Sequence, residues 1–410
     1  MYRVTEKQVE FGNWKRGILY EPSDIEKKPR IAVLCYYMQI ASVTELTKRG
    51  YPVLFIPREY RDNADTRFVD ISNGIKFLRK LPGIEKVILL SWSGGSNNVT
   101  CAQAMAEKGV SLFQSDNMLI KMSDIGPIEP ADGVIVLDAN WGSTMTLISL
   151  DPNVQDERTG IYPAEGALDL YDPAVGYQEG NTIYDRDFVK LFQKAQAKRM
   201  NRLIDYCIER VKLIDEGKGL YRDDEPMIIP GGECMKFFNK LIDQDPTLMS
   251  HTKGAYKLLH AGGEVTTEVI RTLRTFDKGM VATDRLYGSG KFTSVKNFLR
   301  QDAVRASADY EYGEDFVRGV EWENVYTCAV NNVKHIEVPF LTMGMTAGYE
   351  YLAAETLFKN SASKDKDIAF VEGADHVFKV PAVYKDRGFG DTEQTLYNYL
   401  ADWLSAGRFD

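Results

Sequence analysis

Six short, largely apolar runs, each the length of a buried strand, most constrain how this chain can fold. They lie towards the two ends of the sequence, at residues 30–35, 51–57, 86–90, 133–138, 336–343 and 367–371. Segments with a helical spacing of apolar residues separate most of them. Runs that stay apolar instead of alternating with polar residues indicate strands buried on both faces. The pattern therefore predicts an α/β protein with a mostly parallel central sheet flanked by helices.

Residues 143–333 lack the regular alternation of apolar strands and helices that marks the two ends of the chain. Asp185 is placed to cap a long helix that runs to about Glu216, because apolar residues follow it at helical spacing. We predict further short helices around Phe237 and Glu264. This block is therefore interpreted as a largely helical insertion carried by the sheet domain.

The overall composition excludes several classes of protein. Of the 410 residues, 44% are hydrophobic and 27% are charged, which is typical of a globular protein. The formal net charge of −9 argues against a nucleic-acid-binding surface. No apolar stretch approaches the roughly 20 residues that cross a bilayer. We therefore expect no nucleic-acid or membrane partner, and a small-molecule substrate instead.

The cysteines and the first residues of the chain bear on where the protein acts. Five cysteines lie far apart without a CxxC pair, namely Cys35, Cys101, Cys207, Cys234 and Cys328. An odd, scattered set favours reduced thiols over disulfides and gives no ligand spacing for a metal. The amino terminus mixes charges and lacks the apolar run of a secretory signal. We therefore predict a cytoplasmic protein without a metal site.

The third apolar run leads directly into Ser91-Trp-Ser-Gly-Gly95. Small residues on both sides of a serine, between a strand and a helix, are typical of a nucleophile elbow, where the backbone turns sharply and exposes the hydroxyl. Ser91 stands where the common pattern has glycine. The alternative is a polar loop between a strand and a helix. The position of the segment favours the elbow, which makes Ser93 the candidate nucleophile.

A nucleophilic serine needs a base, and the chain has four histidines: His251, His260, His335 and His376. Only His376 follows the last predicted strand, on a loop that contains glycine. Ligand sites of open parallel sheets form at the carboxyl ends of the strands. We therefore predict His376 as the base and structural roles for the other three.

Together, the strand order, the elbow, the late histidine and the helical insertion resemble the α/β-hydrolase superfamily with a cap domain. The resemblance implies a core domain of residues 1–142 and 334–410, and a mainly helical cap or lid of residues 143–333. It also implies a Ser–acid–His catalytic triad in that chain order, an oxyanion hole of two backbone N–H groups and a pocket under the cap. The family needs no cofactor for this chemistry.

Carried over by position, the resemblance assigns Ser93 as nucleophile and His376 as base. Gly94, directly after the nucleophile, matches one oxyanion donor. Tyr37 matches the second donor, although many members of the family have His-Gly where this chain has Cys35-Tyr-Tyr-Met38.

The acid of the triad departs from the usual pattern of the family. The turn after the penultimate strand, Gly344-Met-Thr-Ala-Gly348, has no carboxylate. Asp138 ends the strand after the elbow strand, a position from which some members supply their acid, and it is our prediction. Glu350, six residues past Gly344, is the alternative. Asp138 also has a purely structural interpretation, in which it caps the loop together with Asn140.

The predicted activity is hydrolysis of a carboxylic ester of a mid-sized hydrophobic or aromatic molecule by a serine esterase. Aromatic residues at the predicted carboxyl-end loops favour such a substrate: Tyr36, Tyr37, Trp92, Trp141 and Tyr349. A carbon–carbon bond hydrolase or an amidase would use the same triad. A non-catalytic ligand-binding member of the fold is the remaining alternative. The insertion helices offer a surface for a homo-oligomer, although nothing in their spacing requires one.

Overall fold

A computed structural model describes most of the chain. The described residues are 1–12, 15–23, 29–38, 42–57, 65–154, 156–157, 168–232, 241–274, 290–348, 350 and 352–410.

The strands within these ranges are β1 (Arg3–Phe11), β2 (Lys15–Ser23), β3 (Ile31–Tyr36), β4 (Val53–Ile56), β5 (Lys86–Trp92), β6 (Gly133–Leu137), β7 (Pro226–Pro230), β8 (His251–Leu259), β9 (Val265–Arg271), β10 (Gly290–Ser294), β11 (Ala306–Tyr312), β12 (Val317–Val320), β13 (Phe340–Met345) and β14 (Lys366–Val371). The α-helices are α1 (Glu45–Lys48), α2 (Thr66–Leu78), α3 (Gly95–Lys108), α4 (Thr144–Ser149), α5 (Arg186–Asp215), α6 (Leu241–Gln244), α7 (Val295–Gln301), α8 (Ala329–Asn332), α9 (Leu352–Asn360) and α10 (Thr392–Ser405).

A ten-stranded sheet forms the centre of the molecule, in the order β1-β2-β4-β3-β5-β6-β13-β14-β8-β9. The strands from β4 to β8 in this order pair in parallel. Antiparallel strands close both edges, β2 and β1 on one side and β9 on the other. All six apolar runs contribute a strand to this sheet, so the prediction of a mostly parallel central sheet is confirmed.

Helices cover both faces of the sheet and explain why the central strands are apolar throughout. On β5, Val87 and Leu89 pack into one hydrophobic cluster, which contains residues of α2, α3 and α9. Ile88 and Leu90 point the other way, into a second cluster with residues of α1 and α10. Successive side chains of a strand face opposite sides, so a strand between two apolar layers needs an apolar residue at every position.

The longest helix of the insertion, α5, begins where the sequence predicted, directly after Asp185. The side chain of Asp185 accepts hydrogen bonds from the N–H groups of Asp187 and Phe188, at 2.9 and 3.1 Å. This is the geometry of an N-cap. Helix α5 then runs to Asp215 and buries one face. The predicted cap residue and helix are therefore confirmed.

The insertion also contains more strands than the expected mainly helical cap. The predicted short helix near Glu264 amounts to one 3₁₀ turn, Ala261–Gly263, and β9 begins at Val265. Strands β8 and β9 form a hairpin that extends the central sheet beyond β14, while β7 pairs with β10 and β11 with β12 in two small sheets. The helix expected near Phe237 falls outside the described residues. The boundary at residues 143–333 stays a prediction.

Two further sequence expectations meet the structure here. Among the described residues, no helix is both long enough and apolar enough to cross a membrane. Four cysteines are buried with free thiols, namely Cys35, Cys101, Cys207 and Cys328, and burial raises the pKa of each of these thiols. Cys234 lies outside the described residues.

Candidate active site

Ser93 occupies the sharp turn between β5 and α3. Strand β5 ends at Trp92 and α3 begins at Gly95. Ser93 has a φ of 54°, a left-handed conformation that residues other than glycine seldom adopt. Its N–H donates to the carbonyl of Leu137 at 3.0 Å, which ties the turn to the end of β6. The predicted strand–serine–helix geometry is therefore present.

The small neighbours of Ser93 are there because the turn is crowded. A Cβ at Gly95 would collide with Ser91 Oγ and lie 2.7 Å from the Cβ of Tyr37. Ser91 is itself fully buried, and its hydroxyl donates to the carbonyl of Tyr36 at 2.5 Å. This hydrogen bond explains how a serine fits where the common pattern has glycine.

The start of α3 supplies a donor next to the serine. Among the described residues, the N–H of Gly94 has no hydrogen-bond partner. Helix α3 has 14 residues, and its first turn carries the positive end of the helix dipole. A negative charge that develops on an oxygen beside Ser93 would be stabilised there.

Asp138 follows β6 and carries a buried carboxylate. It is fully buried and has a φ of 41°. Its Oδ1 accepts a hydrogen bond from the N–H of Met345 at 3.1 Å, and its Oδ2 lies 2.6 Å from Nδ1 of His376. A Cβ at Gly348 would lie 2.8 Å from Oδ2, so the absence of a side chain there leaves room for the carboxylate.

His376 lies on the loop after β14, next to the elbow. The indole N–H of Trp92 donates to the backbone carbonyl of His376 at 2.7 Å. The two rings lie 4.6 Å apart between centroids. Because Trp92 directly precedes Ser93, the loop of the histidine is fixed to the turn that carries the serine. The structure thus brings the predicted nucleophile, acid and base to one edge of the sheet.

Glu350 lies in the same place, so the two carboxylates that the sequence offered as alternatives are both present. Its Oε2 lies 3.7 Å from Nδ1 of His376, and the side chain is 3% exposed. Asp138 makes the hydrogen bond with His376, whereas 3.7 Å is beyond hydrogen-bonding range. Glu350 therefore acts on the imidazole through its charge.

The electrostatics of His376 result from opposing effects. Burial lowers the pKa of His376. The charge of Glu350, the hydrogen bond that Nδ1–H donates to Asp138 and the charge of Asp138 together more than offset this effect, so that the pKa of His376 is raised. The carboxylates favour the cationic imidazolium that a general base becomes when it takes a proton. Within the described ranges, Asp138, Glu350 and His376 are also the group of side chains close enough to share a metal ion, with ligand atoms within 4.8 Å of one another.

The hydrogen bonds of Tyr37 bear on its predicted role as the second oxyanion donor. Its backbone has a φ of 55°, and its N–H points to the carbonyl of Ile56 at 3.5 Å. Its carbonyl accepts from the N–H of Trp92 at 3.3 Å, and the two rings stack with centroids 5.8 Å apart. The N–H of Tyr37 is thus directed along the sheet, and its role as the second oxyanion donor stays a prediction.

The remaining histidines lie outside this cluster. His260 contacts Glu372 through Nδ1 at 2.7 Å and Thr266 through Nε2 at 2.8 Å. His251 begins β8, and His335 lies in a short 3₁₀ turn after α8. His251 thus belongs to the sheet and His260 to the turn between β8 and β9, not to helices, and structural roles for these three histidines stay a prediction.

The aromatic residues predicted to line the site divide into two groups. Trp92 and Tyr37 stack beside His376 and the elbow. Trp141 is buried and stacks on Trp322, with ring centroids 6.3 Å apart. Tyr36 is also buried, and Tyr349 lies outside the described residues.

The strand order, with a serine at a sharp strand-to-helix turn after β5 and a histidine after β14, defines the α/β-hydrolase fold. No protein-family model matches the sequence, and no curated protein sequence matches it.

Among solved structures, the chain is similar to an esterase domain of a Rhodothermus marinus protein, with 12% identity, a TM-score of 0.40 and 98% of each chain covered. It is similar to a fungal esterase from Rhizomucor miehei, with 12% identity, a TM-score of 0.41 and coverage of 100% of this chain and 84% of that one. It is also similar to Est1E from Butyrivibrio proteoclasticus, with 8% identity, a TM-score of 0.40 and 97% of each chain covered.

Proposed function

We propose that this protein is a serine hydrolase that cleaves a carboxylic ester of a mid-sized hydrophobic or aromatic molecule. The observation that carries the proposal is the 2.6 Å contact between His376 Nδ1 and the buried carboxylate of Asp138, on a loop fixed to the serine turn. A carboxylate at Nδ1 holds the imidazole so that Nε2 is free to accept a proton.

The proposed reaction begins when Ser93 Oγ attacks the ester carbonyl carbon and transfers its proton to Nε2 of His376. The carbonyl electron pair moves to oxygen, which the N–H of Gly94 and the start of α3 stabilise. Loss of one such donor typically costs about 3 kcal/mol of barrier. When the C–O bond breaks, His376 returns the proton to the leaving alcohol. Water then hydrolyses the acyl-enzyme by the same steps.

Burial of the site supports this chemistry. Ser93 is 9% exposed, so little of this residue is in contact with solvent. Charge interactions are stronger where water is excluded. The Asp138 carboxylate is fully buried and has its partners fixed by β13 and by His376.

The aromatic rings at the site support a hydrophobic acyl or alkyl group. Trp92 and Tyr37 form a stacked pair next to His376. Flat apolar surfaces with few polar groups are typical of sites that bind small hydrophobic ligands.

A fluorophosphonate probe tests the proposed nucleophile directly. It should label the wild-type protein at Ser93, and Ser93→Ala should abolish labelling. As a matched control, Ser96→Ala changes a buried serine one turn along the chain, and this variant should still be labelled. A wild-type protein that resists the probe would favour a non-catalytic ligand-binding protein.

A substrate panel then separates the reactions that one triad can perform. p-Nitrophenyl esters of increasing acyl length should be turned over, with the best rates at medium length. Aryl amides and aryl ketones with a cleavable carbon–carbon bond belong in the same panel. Turnover of amides or ketones without turnover of esters would replace the esterase by an amidase or a carbon–carbon bond hydrolase.

A further inference from the structure

Asn140 lies beside the candidate oxyanion hole, on the loop after β6. A Cβ at Gly94 would lie 3.3 Å from Nδ2 of Asn140. The carboxamide therefore stands next to the residue whose N–H is placed to stabilise the oxyanion. The side chain is partly exposed, so a bound molecule can reach it.

The hydrogen bonds of the carboxamide fix which end faces Gly94. Its Oδ1 accepts from Nδ2 of Asn97 at 2.8 Å and from the N–H of Gly142 at 2.9 Å. Asn97 is fixed in turn, since its Oδ1 accepts from the N–H of Ala329 at 2.8 Å. An amide nitrogen cannot accept a hydrogen bond, so Oδ1 must take both donors and Nδ2 must face Gly94.

In this orientation, Nδ2 of Asn140 is a hydrogen-bond donor that a ligand could use. Within the described part of the chain, Nδ2 of Asn140 makes no hydrogen bond, although Oδ1 makes two. The nearby N–H of Tyr37 is directed to Ile56 instead of the site. Asn140 therefore offers an amide N–H beside Gly94 that has the chemistry of an oxyanion donor.

We propose that Asn140 is a catalytic residue whose Nδ2–H donates to the oxyanion, together with the N–H of Gly94. The proposal rests on the proposed function, since it needs the tetrahedral intermediate formed at Ser93. When Ser93 Oγ bonds to the carbonyl carbon, the π electron pair moves to the carbonyl oxygen. Asn140 stabilises that charge without giving up its proton.

Two substitutions distinguish a donor from a purely structural asparagine. Asn140→Asp keeps an oxygen that accepts from Asn97 and Gly142 but removes the amide donor. Asn140→Ala removes both functions without adding charge. If Asn140 donates to the oxyanion, both variants should lose about 100-fold in kcat/KM for the best p-nitrophenyl ester, mostly in kcat.

An aryl trifluoromethyl ketone supplies a second readout, because it forms an oxyanion on addition of the serine. Its inhibition constant should rise in both variants by the same factor by which kcat/KM falls. Asn201→Ala is a matched control, since Asn201 exchanges similar hydrogen bonds with Ala306 in the insertion, at 2.7 and 3.1 Å. It should leave both quantities unchanged, and thermal unfolding checks that every variant is folded.

The outcomes separate this inference from the proposed function. If the wild-type protein neither reacts with the fluorophosphonate nor turns over any substrate, the proposed function fails. If the wild-type protein is active but either Asn140 variant keeps kcat/KM within threefold, Asn140 is not an oxyanion donor. An inhibition constant that stays constant while kcat/KM falls would likewise overturn the inference.

Discussion

Oδ2 of Asp138 lies 2.6 Å from Nδ1 of His376, although 237 residues separate the two positions along the chain. The contact spans the insertion and joins the ends of β6 and β14. A second carboxylate, Glu350, lies 3.7 Å from the same nitrogen. His376 thus has two buried carboxylates near Nδ1. Asp138 lies within hydrogen-bonding distance and Glu350 does not, so we expect their replacement to affect activity differently.

Replacement of the two acids should have unequal effects. Asp138→Asn should lower kcat by on the order of 10⁴-fold, the typical cost when an amide favours the wrong imidazole tautomer. Glu350→Gln should cost less than about tenfold, because Glu350 does not hydrogen-bond to the ring. Steady-state kinetics on one p-nitrophenyl ester measures both. The reverse ranking would make Glu350 the acid of the triad.

The charge of Glu350 should appear in the pH dependence of activity. Only neutral His376 accepts a proton, so activity is lost as the pH falls through the pKa of His376. Glu350 contributes to raising that pKa. Glu350→Gln should therefore lower it and move the acidic limb of the kcat/KM profile to lower pH.

Glu372→Gln is the matched control for this shift, since Glu372 contacts a different histidine, His260, at 2.7 Å. Its profile should follow that of the wild-type protein. An acidic limb that moves to higher pH in Glu350→Gln would contradict the assigned effect of this carboxylate.

Crowding at the elbow predicts that Gly95 tolerates no side chain. In Gly95→Ala, the new methyl group would overlap Ser91 and Tyr37. Overpacking of this kind typically costs about 1–3 kcal/mol of unfolding free energy, and a displaced turn should also lower kcat. Urea unfolding and ester hydrolysis measure the two effects.

Gly290→Ala is the matched control for this crowding. Among the residues that the structure describes, the nearest neighbours of its Cβ would lie at 3.6 Å, which is ordinary van der Waals contact. Equal loss of stability in both variants would show that the space around the elbow is not the cause.

The cap of α5 gives a prediction that concerns stability alone. Asp185→Ala removes the acceptor for two N–H groups and should cost about 1 kcal/mol of unfolding free energy. Asp185→Asn keeps a capping oxygen and should retain most of that stability. Urea unfolding tests both variants, and an Asn variant as unstable as the Ala variant would argue for a role of the charge.

The sequence predicted those parts of the fold in which one local pattern decides the outcome. Central strands such as β5 are apolar on both faces, and Asp185 precedes a long amphipathic helix. The hairpin of β8 and β9 was missed because it lies at the edge of the sheet, where polar residues such as Thr267 and Glu268 are exposed to solvent. Edge strands are not enclosed by two apolar layers and so lack the continuous apolar run.

The sequence allowed prediction of those site residues that directly follow a predicted strand. Ser93 and His376 follow predicted strands, so the topology of a parallel sheet brings their loops to one edge. The proximity of Glu350 and Asp138 depends on the turn at Gly348, whose lack of a side chain leaves space for a carboxylate. The orientation of Asn140 depends on Asn97 and Gly142. Contacts of this kind arise from tertiary packing and leave no periodic pattern.

The pairing of β14 with β8 has a consequence for attempts to make a smaller version of this protein. Excision of residues 143–333 would take away the strand that hydrogen-bonds to β14, just before the loop of His376. The trimmed molecule would present an unpaired edge there, open to association with other chains. The insertion, which the sequence suggests could be removed, thus includes a strand that supports the loop of His376.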